Sequence, residues 1–159
     1  MPFYTTDIPG LLIFEPMIFE DSRGYFFEAY NENVFKKQGI DLRFVQDNQS
    51  SSGYGVVRGL HYQLNPHSQS KLIRVLYGNV LDVAVDIRKG SPTYGNYFSI
   101  ELSAENRKQL FLPAGFAHGH SSPYTVPWCN NSNRIRRSRQ RGRVRQMSNR
   151  ANRRLLWCL

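Results

Sequence analysis

The chain predicts an all-β fold, a sandwich or small barrel, on three observations. Eight short runs rich in β-branched and aromatic residues follow one another at close spacing. Turn-forming residues separate them, and a single segment reads as helix.

In order, the expected strands are 11–19, 24–30, 44–50, 56–63, 71–77, 80–87, 97–102 and 109–112. Alternation is clearest in Leu81-Asp-Val-Ala-Val-Asp-Ile87, where every second residue is set for one face of a sheet. Gly53-Tyr-Gly55, Asn65-Pro66 and Lys89-Gly90-Ser91-Pro92 are breakers, and Gly78-Asn79 between two apolar runs predicts a two-residue hairpin. The helix is expected over 31–38, with Asn31 or Asn33 as its cap and Gly39 as its stop. Strand pattern alone does not choose among a sandwich, a barrel and a jelly roll.

A length of 159 residues suits one domain, because a chain of that size buries about 70% of its unfolded surface around a single core. The opening Met-Pro-Phe-Tyr-Thr-Thr-Asp has no basic stretch leading into an apolar run, and no window is apolar enough to span a bilayer, so neither export nor a membrane partner is expected. Cys129 and Cys158 form neither a disulfide framework nor a metal-ligand spacing, which suits a reducing, cytoplasmic setting.

The net charge of +9 is unevenly placed. Residues 1–120 carry 11 Lys/Arg against 12 Asp/Glu, whereas residues 121–159 carry ten Arg and no acid. The basicity therefore belongs to the tail, and overall charge gives no reason to assign the folded part a nucleic-acid partner.

Chemistry concentrates in Gln46-Asp-Asn48 and in Arg58-Gly-Leu-His61-Tyr-Gln63, where directional polar groups crowd onto strands that a plain core would fill with apolar ones. His61 shares a strand face with Gly59 and Gln63 and is placed to act as a general base. Taken alone, a strand histidine is more often a satisfied structural residue, Lys71 at a strand start more often a solvated end, and an Arg23–Glu28 pair more often a surface salt bridge. No metal site is expected. His61 is followed by His67 in a Pro-bounded loop with no Glu at suitable spacing, and His118 and His120 are two apart, which would place both on one face of a strand.

Three segments carry a resemblance: Asp21-Ser-Arg23-Gly-Tyr-Phe26-Phe-Glu28, Arg58-Gly-Leu-His61-Tyr-Gln63 and Pro113-Ala-Gly-Phe-Ala-His118-Gly. Over about residues 3–119 the chain resembles the dTDP-4-dehydrorhamnose 3,5-epimerase family. That resemblance implies a cupin-type jelly roll (a double-stranded β-helix) whose mouth holds a dTDP-sugar. It implies epimerisation of dTDP-4-dehydro-6-deoxy-D-glucose at C3 and C5 without a metal or other cofactor. His61 would remove the protons, Lys71 would hold the enolate oxygen and His118 would meet the substrate near the same carbonyl. Arg23, Phe26 and Glu28 would serve the nucleotide, with Gln46, Asn48 and Arg58 in the same pocket, and a homodimer would form through N-terminal strands. A single-centre epimerase, a ketoisomerase and a non-catalytic nucleotide-sugar or nucleic-acid binder are the alternative readings.

The resemblance stops at Gly119. Family members continue with an aromatic residue, a strand bearing the catalytic-acid Tyr and an acid-containing stretch with the Asp that orients the base. Here the chain reads His120-Ser-Ser-Pro-Tyr124-Thr-Val-Pro and then Arg134-Ile-Arg-Arg-Ser-Arg-Gln-Arg-Gly-Arg143. Tyr124 comes too early and between prolines, so the acid role is not carried onto it. The expected division is an epimerase-type domain over 1–120, lacking its final strands, and a poorly ordered Arg-rich tail over 121–159. The tail is either a basic arm for RNA or out-of-frame translation; its composition and abrupt onset favour the second.

Overall fold

The computed structural model describes residues 2–122, 129–135 and 144–146, over which the backbone forms thirteen strands and one helix. The first sheet contains β1 (Phe3–Thr5), β2 (Leu12–Phe14), β5 (Gln46–Ser52), β7 (Lys71–Tyr77), β10 (Gln109–Leu112) and β12 (Cys129–Ile135), in the order β1-β2-β10-β7-β12-β5. The second contains β6 (Val57–Gln63), β8 (Asn79–Asp86), β9 (Tyr97–Ser103), β11 (Phe116–Ser121) and β13 (Val144–Gln146), in the order β13-β6-β11-β8-β9. β3 (Ile18–Asp21) and β4 (Gly24–Phe27) form a separate hairpin. From β5 onward the chain changes sheet at every connection except β8 to β9, and all pairings are antiparallel, which is jelly-roll topology.

Two expectations change. The predicted strand over 11–19 divides at Glu15-Pro16-Met17, because Pro16 has no N–H for the ladder; β2 ends at Phe14 and the chain re-enters β structure at Ile18. The hairpin predicted at Gly78-Asn79 is absent, since β7 pairs with β10 and β12 while β8 pairs with β9 and β11. Gly78, with φ of 72°, turns the chain from one sheet to the other. β1, β11, β12 and β13 were not among the expected strands. The last two fall in the segment expected to be poorly ordered, most of which, including Tyr124 and Cys158, lies outside the described residues.

Apolar residues pack in two layers. Ile73, Val75, Val80, Ala84, Leu102, Leu110, Leu112 and Phe116 fill the space between the sheets with Ile8 and Leu11. On the far side of the first sheet, Phe14, Leu72 and Phe111 pack beneath Phe35 and Ile40. Phe35 comes from the helix α1 (Glu32–Lys37), whose N-cap is Asn31: its side chain accepts from the N–H groups of Asn33 and Val34. The turn after β8 is tied by Asp86, fully buried, which accepts from Arg88, Ser91 and Thr93 at 2.7–3.0 Å.

Candidate functional site

Two glycines shape the site. A Cβ added to Gly59 would lie 2.5 Å from Gly119 Cα, and one added to Gly119 would lie 2.6 Å from the Arg58 carbonyl, so β6 and β11 cross where neither carries a side chain. The register slips at this crossing. His118 stands opposite His61 and His120 opposite Arg58, so three steps on β6 match two on β11. Such a bulge bends the strand and re-aims the side chains beyond it, His61 among them. On the other flank of β11, β8 sets Ala84 opposite His118 and Asp82 opposite His120.

A polar row results across one wall of the barrel. The His61 and His118 rings are 5.5 Å apart at 76°, and the His118 and His120 rings are 6.2 Å apart. His118 is fully buried, and its Nε2 meets Asp82 Oδ2 at 2.9 Å and Oδ1 at 3.1 Å. Its other nitrogen, Nδ1, is buried without a hydrogen-bond partner. From the facing sheet, Lys71 shares a strand face with the core residues Ile73 and Val75 and is itself buried, with 7% exposure.

Burial sets the electrostatics, because desolvation disfavours the charged form of every group here. It pushes Asp82 up to about 7, against the pull of His120 and Lys71. It pushes Lys71 down to about 8, with Asp82 opposing. His61 is lowered to about 3, first by burial and then by Lys71, His118 and His120. His120 is lowered to about 4, and His118 lies well below the ordinary imidazole range, both mainly through burial. At neutral pH the imidazoles are uncharged, and burial disfavours charge on both partners of the His118–Asp82 contact.

Arg58 ties the two sheets at the edge of this row, donating through Nε to Ser52 Oγ and through Nη2 to the Ser51 carbonyl, both at 2.9 Å. Ser52 shares its face of β5 with Asn48 and Gln46, and Gln46 Nε2 donates to Asn48 Oδ1 at 2.7 Å. Arg58 is thus anchored at the Ser51–Ser52 end of β5, and Gln46 and Asn48 stand together further back along the same strand.

Arg23, Phe26 and Glu28 do not join this group. Arg23 and Phe26 lie on the β3–β4 hairpin, 88% exposed at the side chain and 68% exposed respectively, and they line a cleft of about 400 Å³ with Phe19, Asp21 and Tyr25. Arg23 pairs with Asp21 at 2.6 Å, not with Glu28, because the tight turn at Gly24, with φ of 127°, folds Arg23 back over its own strand. Glu28 accepts from Asn31 at 2.9 Å. The hairpin cleft is lined by residues of 19–26 alone, and Gln46, Asn48 and Arg58 are not among them.

Asp82 and His120 were missed. Asp82, His118 and His120 each bring one ligand-type atom to within 4.8 Å of the others, so a carboxylate does accompany the histidine pair. It arrives by strand pairing rather than by proximity in sequence. The signal was present in 80–87, where Asp82 and Asp86 fall on the same face as the core residues Val80 and Ala84.

A two-sheet jelly roll with imidazoles, an ammonium and a carboxylate gathered along one wall defines a cupin-type barrel. The family profile for dTDP-4-dehydrorhamnose 3,5-epimerase matches residues 5–125. The chain belongs to that family. It is 57% identical over 115 residues to the dTDP-4-dehydrorhamnose 3,5-epimerase of Shigella flexneri, a match covering 72% of this chain and 64% of that protein. Against the Methanothermobacter thermautotrophicus enzyme of the same name, identity is 51% over 74% of this chain and 63% of the relative, so the chain spans less than two thirds of these relatives. Among solved structures, the Bacillus anthracis dTDP-4-dehydrorhamnose 3,5-epimerase with TDP and pyrophosphate bound superposes with a TM-score of 0.83 at 41% identity, over 87% of this chain and 79% of that one.

Proposed function

We propose that the chain binds dTDP-4-dehydro-6-deoxy-D-glucose and epimerises it at C3 and C5, the reaction of the family to which it belongs. The observation that carries this reading is the convergence of a neutral, half-buried His61 with His118 and the buried Lys71. Removing a proton beside a ketone places charge on the ketone oxygen, so a base needs a cation or hydrogen-bond donor at that oxygen. His61 is the base, present as a free acceptor at any pH well above about 3. Lys71 supplies the positive charge while it remains protonated, below about 8. His118, fixed by Asp82 through Nε2, stands beside His61 on the neighbouring strand.

A base lowered to about 3 accepts a proton only weakly, and the charges that act on His61 are cationic. A carboxylate at its free nitrogen would restore basicity. Gln46, Asn48 and Arg58 are proposed to hold the dTDP-sugar at the edge of the row. Arg23, Phe26 and Glu28 are proposed to meet the nucleotide from a second copy of the chain. The exposed Phe19, Tyr25 and Phe26 on the hairpin support a homodimer. The partner is a dTDP-sugar rather than nucleic acid, and the setting is cytoplasmic; among the described residues no helix is long and apolar enough to cross a membrane.

Solvent-deuterium incorporation into the sugar tests the reading. Wild-type protein should exchange at both C3 and C5, and His61→Ala should abolish exchange while leaving dTDP affinity within a few-fold. Exchange at one centre alone would identify a single-centre epimerase, and substantial exchange in His61→Ala would remove His61 from the mechanism.

A further inference from the structure

We infer that Asp82, His118 and His120 form a binding site for a divalent first-row transition metal such as Zn²⁺. The inference rests on how the three side chains are presented. His118 and His120 alternate on β11 and therefore share a face. Asp82 stands directly opposite His120 on the neighbouring strand β8. Two histidines and one carboxylate thus project to the same side of a rigid, paired sheet, and their ligand-type atoms lie within 4.8 Å of one another.

His118 Nε2 and Asp82 Oδ2 are 2.9 Å apart. Neighbouring ligand atoms on a cation with bonds of about 2.1 Å are roughly 3.0–3.4 Å apart, so this pair needs little adjustment, and His120 brings a ring nitrogen to within 4.8 Å of both. All three residues are buried, with exposures of 0%, 0% and 6%. A cation that enters must shed its water and displaces any proton held on the three ligands. Two imidazoles with one carboxylate favour Zn²⁺, Co²⁺ or Ni²⁺ over Mg²⁺ or Ca²⁺, which take oxygen ligands. His61 adjoins His118, and Lys71 acts on both Asp82 and His120, so a bound cation would compete for the space proposed above for the sugar ketone. It is a competitor of that reaction, not its cofactor.

The test uses Co²⁺ as a coloured probe on the full chain, without substrate, so that its outcome is independent of the proposed epimerisation. Titration with Co²⁺ should produce a visible ligand-field band at one equivalent per chain, and Zn²⁺ should bleach it. His120→Phe should lose the band or weaken Co²⁺ affinity by at least about tenfold, and His120→Gln serves the same purpose if the Phe variant fails to fold by circular dichroism. His61→Asn should keep the band. Absence of a band from folded wild-type protein, a band unchanged in the folded His120 variants, or its loss in His61→Asn would each overturn the site.

Discussion

His61 and Lys71 are opposite cases of one effect. Burial strips charge from both, which leaves the imidazole ready to accept a proton across the whole neutral range and brings the ammonium within reach of mild alkali. If the two play the proposed roles, the rate of deuterium exchange in the free enzyme should be level between about pH 5 and 7 and fall as pH rises through about 8, where Lys71 loses its proton. Lys71→Met should lower the rate at neutral pH by about 10²-fold or more, as the loss of a donor at a developing oxyanion does. It should also remove that part of the alkaline limb. An alkaline limb of unchanged position and depth in Lys71→Met would assign it to another group, with Asp82, raised to about 7, first in line.

At the scale of elements, the helix and the turn after β8 carry separate loads. Phe35 is 1% exposed and meets the rings of Phe3, Phe14 and Tyr30 at centroid distances of 5.0–5.2 Å. Phe35→Ala should therefore cost about 3–5 kcal/mol, read as a fall in the denaturant midpoint. The site faces the other side of this sheet, so dTDP affinity of the folded fraction should hold. In the turn, the Arg88 guanidinium, followed by Ser91 and Thr93, holds the Asp86 carboxyl well below its usual range. A carboxylate depressed in this way stabilises the fold fully above its unfolded value of about 4, and that stability is lost as pH falls further. Wild-type protein should lose stability below about pH 4 more steeply than Asp86→Asn. The variant, which leaves Arg88 without its charged partner, should be less stable by about 1–3 kcal/mol at pH 7. Parallel acid-unfolding curves for the two proteins would separate Asp86 from the acid transition.

At the scale of the whole molecule, the nucleotide segment and the proton-transfer cluster occupy different parts of one chain. The hairpin carries Arg23 among exposed aromatic rings, and the row of His61, His118 and His120 lies in the barrel wall. A homodimer in which each hairpin reaches the other copy's barrel would reunite them. Phe26→Asp should then shift the protein from dimer to monomer in light scattering and weaken dTDP binding together with it. Loss of dTDP binding by a variant that stays dimeric would instead give Phe26 a contact with the nucleotide and none with the dimer.

Local chemistry alone announced much of this. The eight runs, the Asn31-capped helix, His61 on a strand and the neutral balance of residues 1–120 follow from side-chain type, periodicity and composition, which a linear sequence contains in full. The division at Pro16 was also local and legible, since a missing N–H ends a ladder wherever it falls. What only the tertiary structure decided is which strands become neighbours. Gly78-Asn79 sends β7 and β8 into opposite sheets instead of closing a hairpin, because two apolar runs can satisfy their hydrogen bonds with distant partners as well as with each other. That choice sets Asp82 across from His120, 38 positions away in sequence. The bulge where Gly59 meets Gly119 then decides that His118, rather than its neighbour, faces His61. Side-chain alternation fixes the face on which a residue stands, but register across strands is a long-range property, settled when the whole barrel packs.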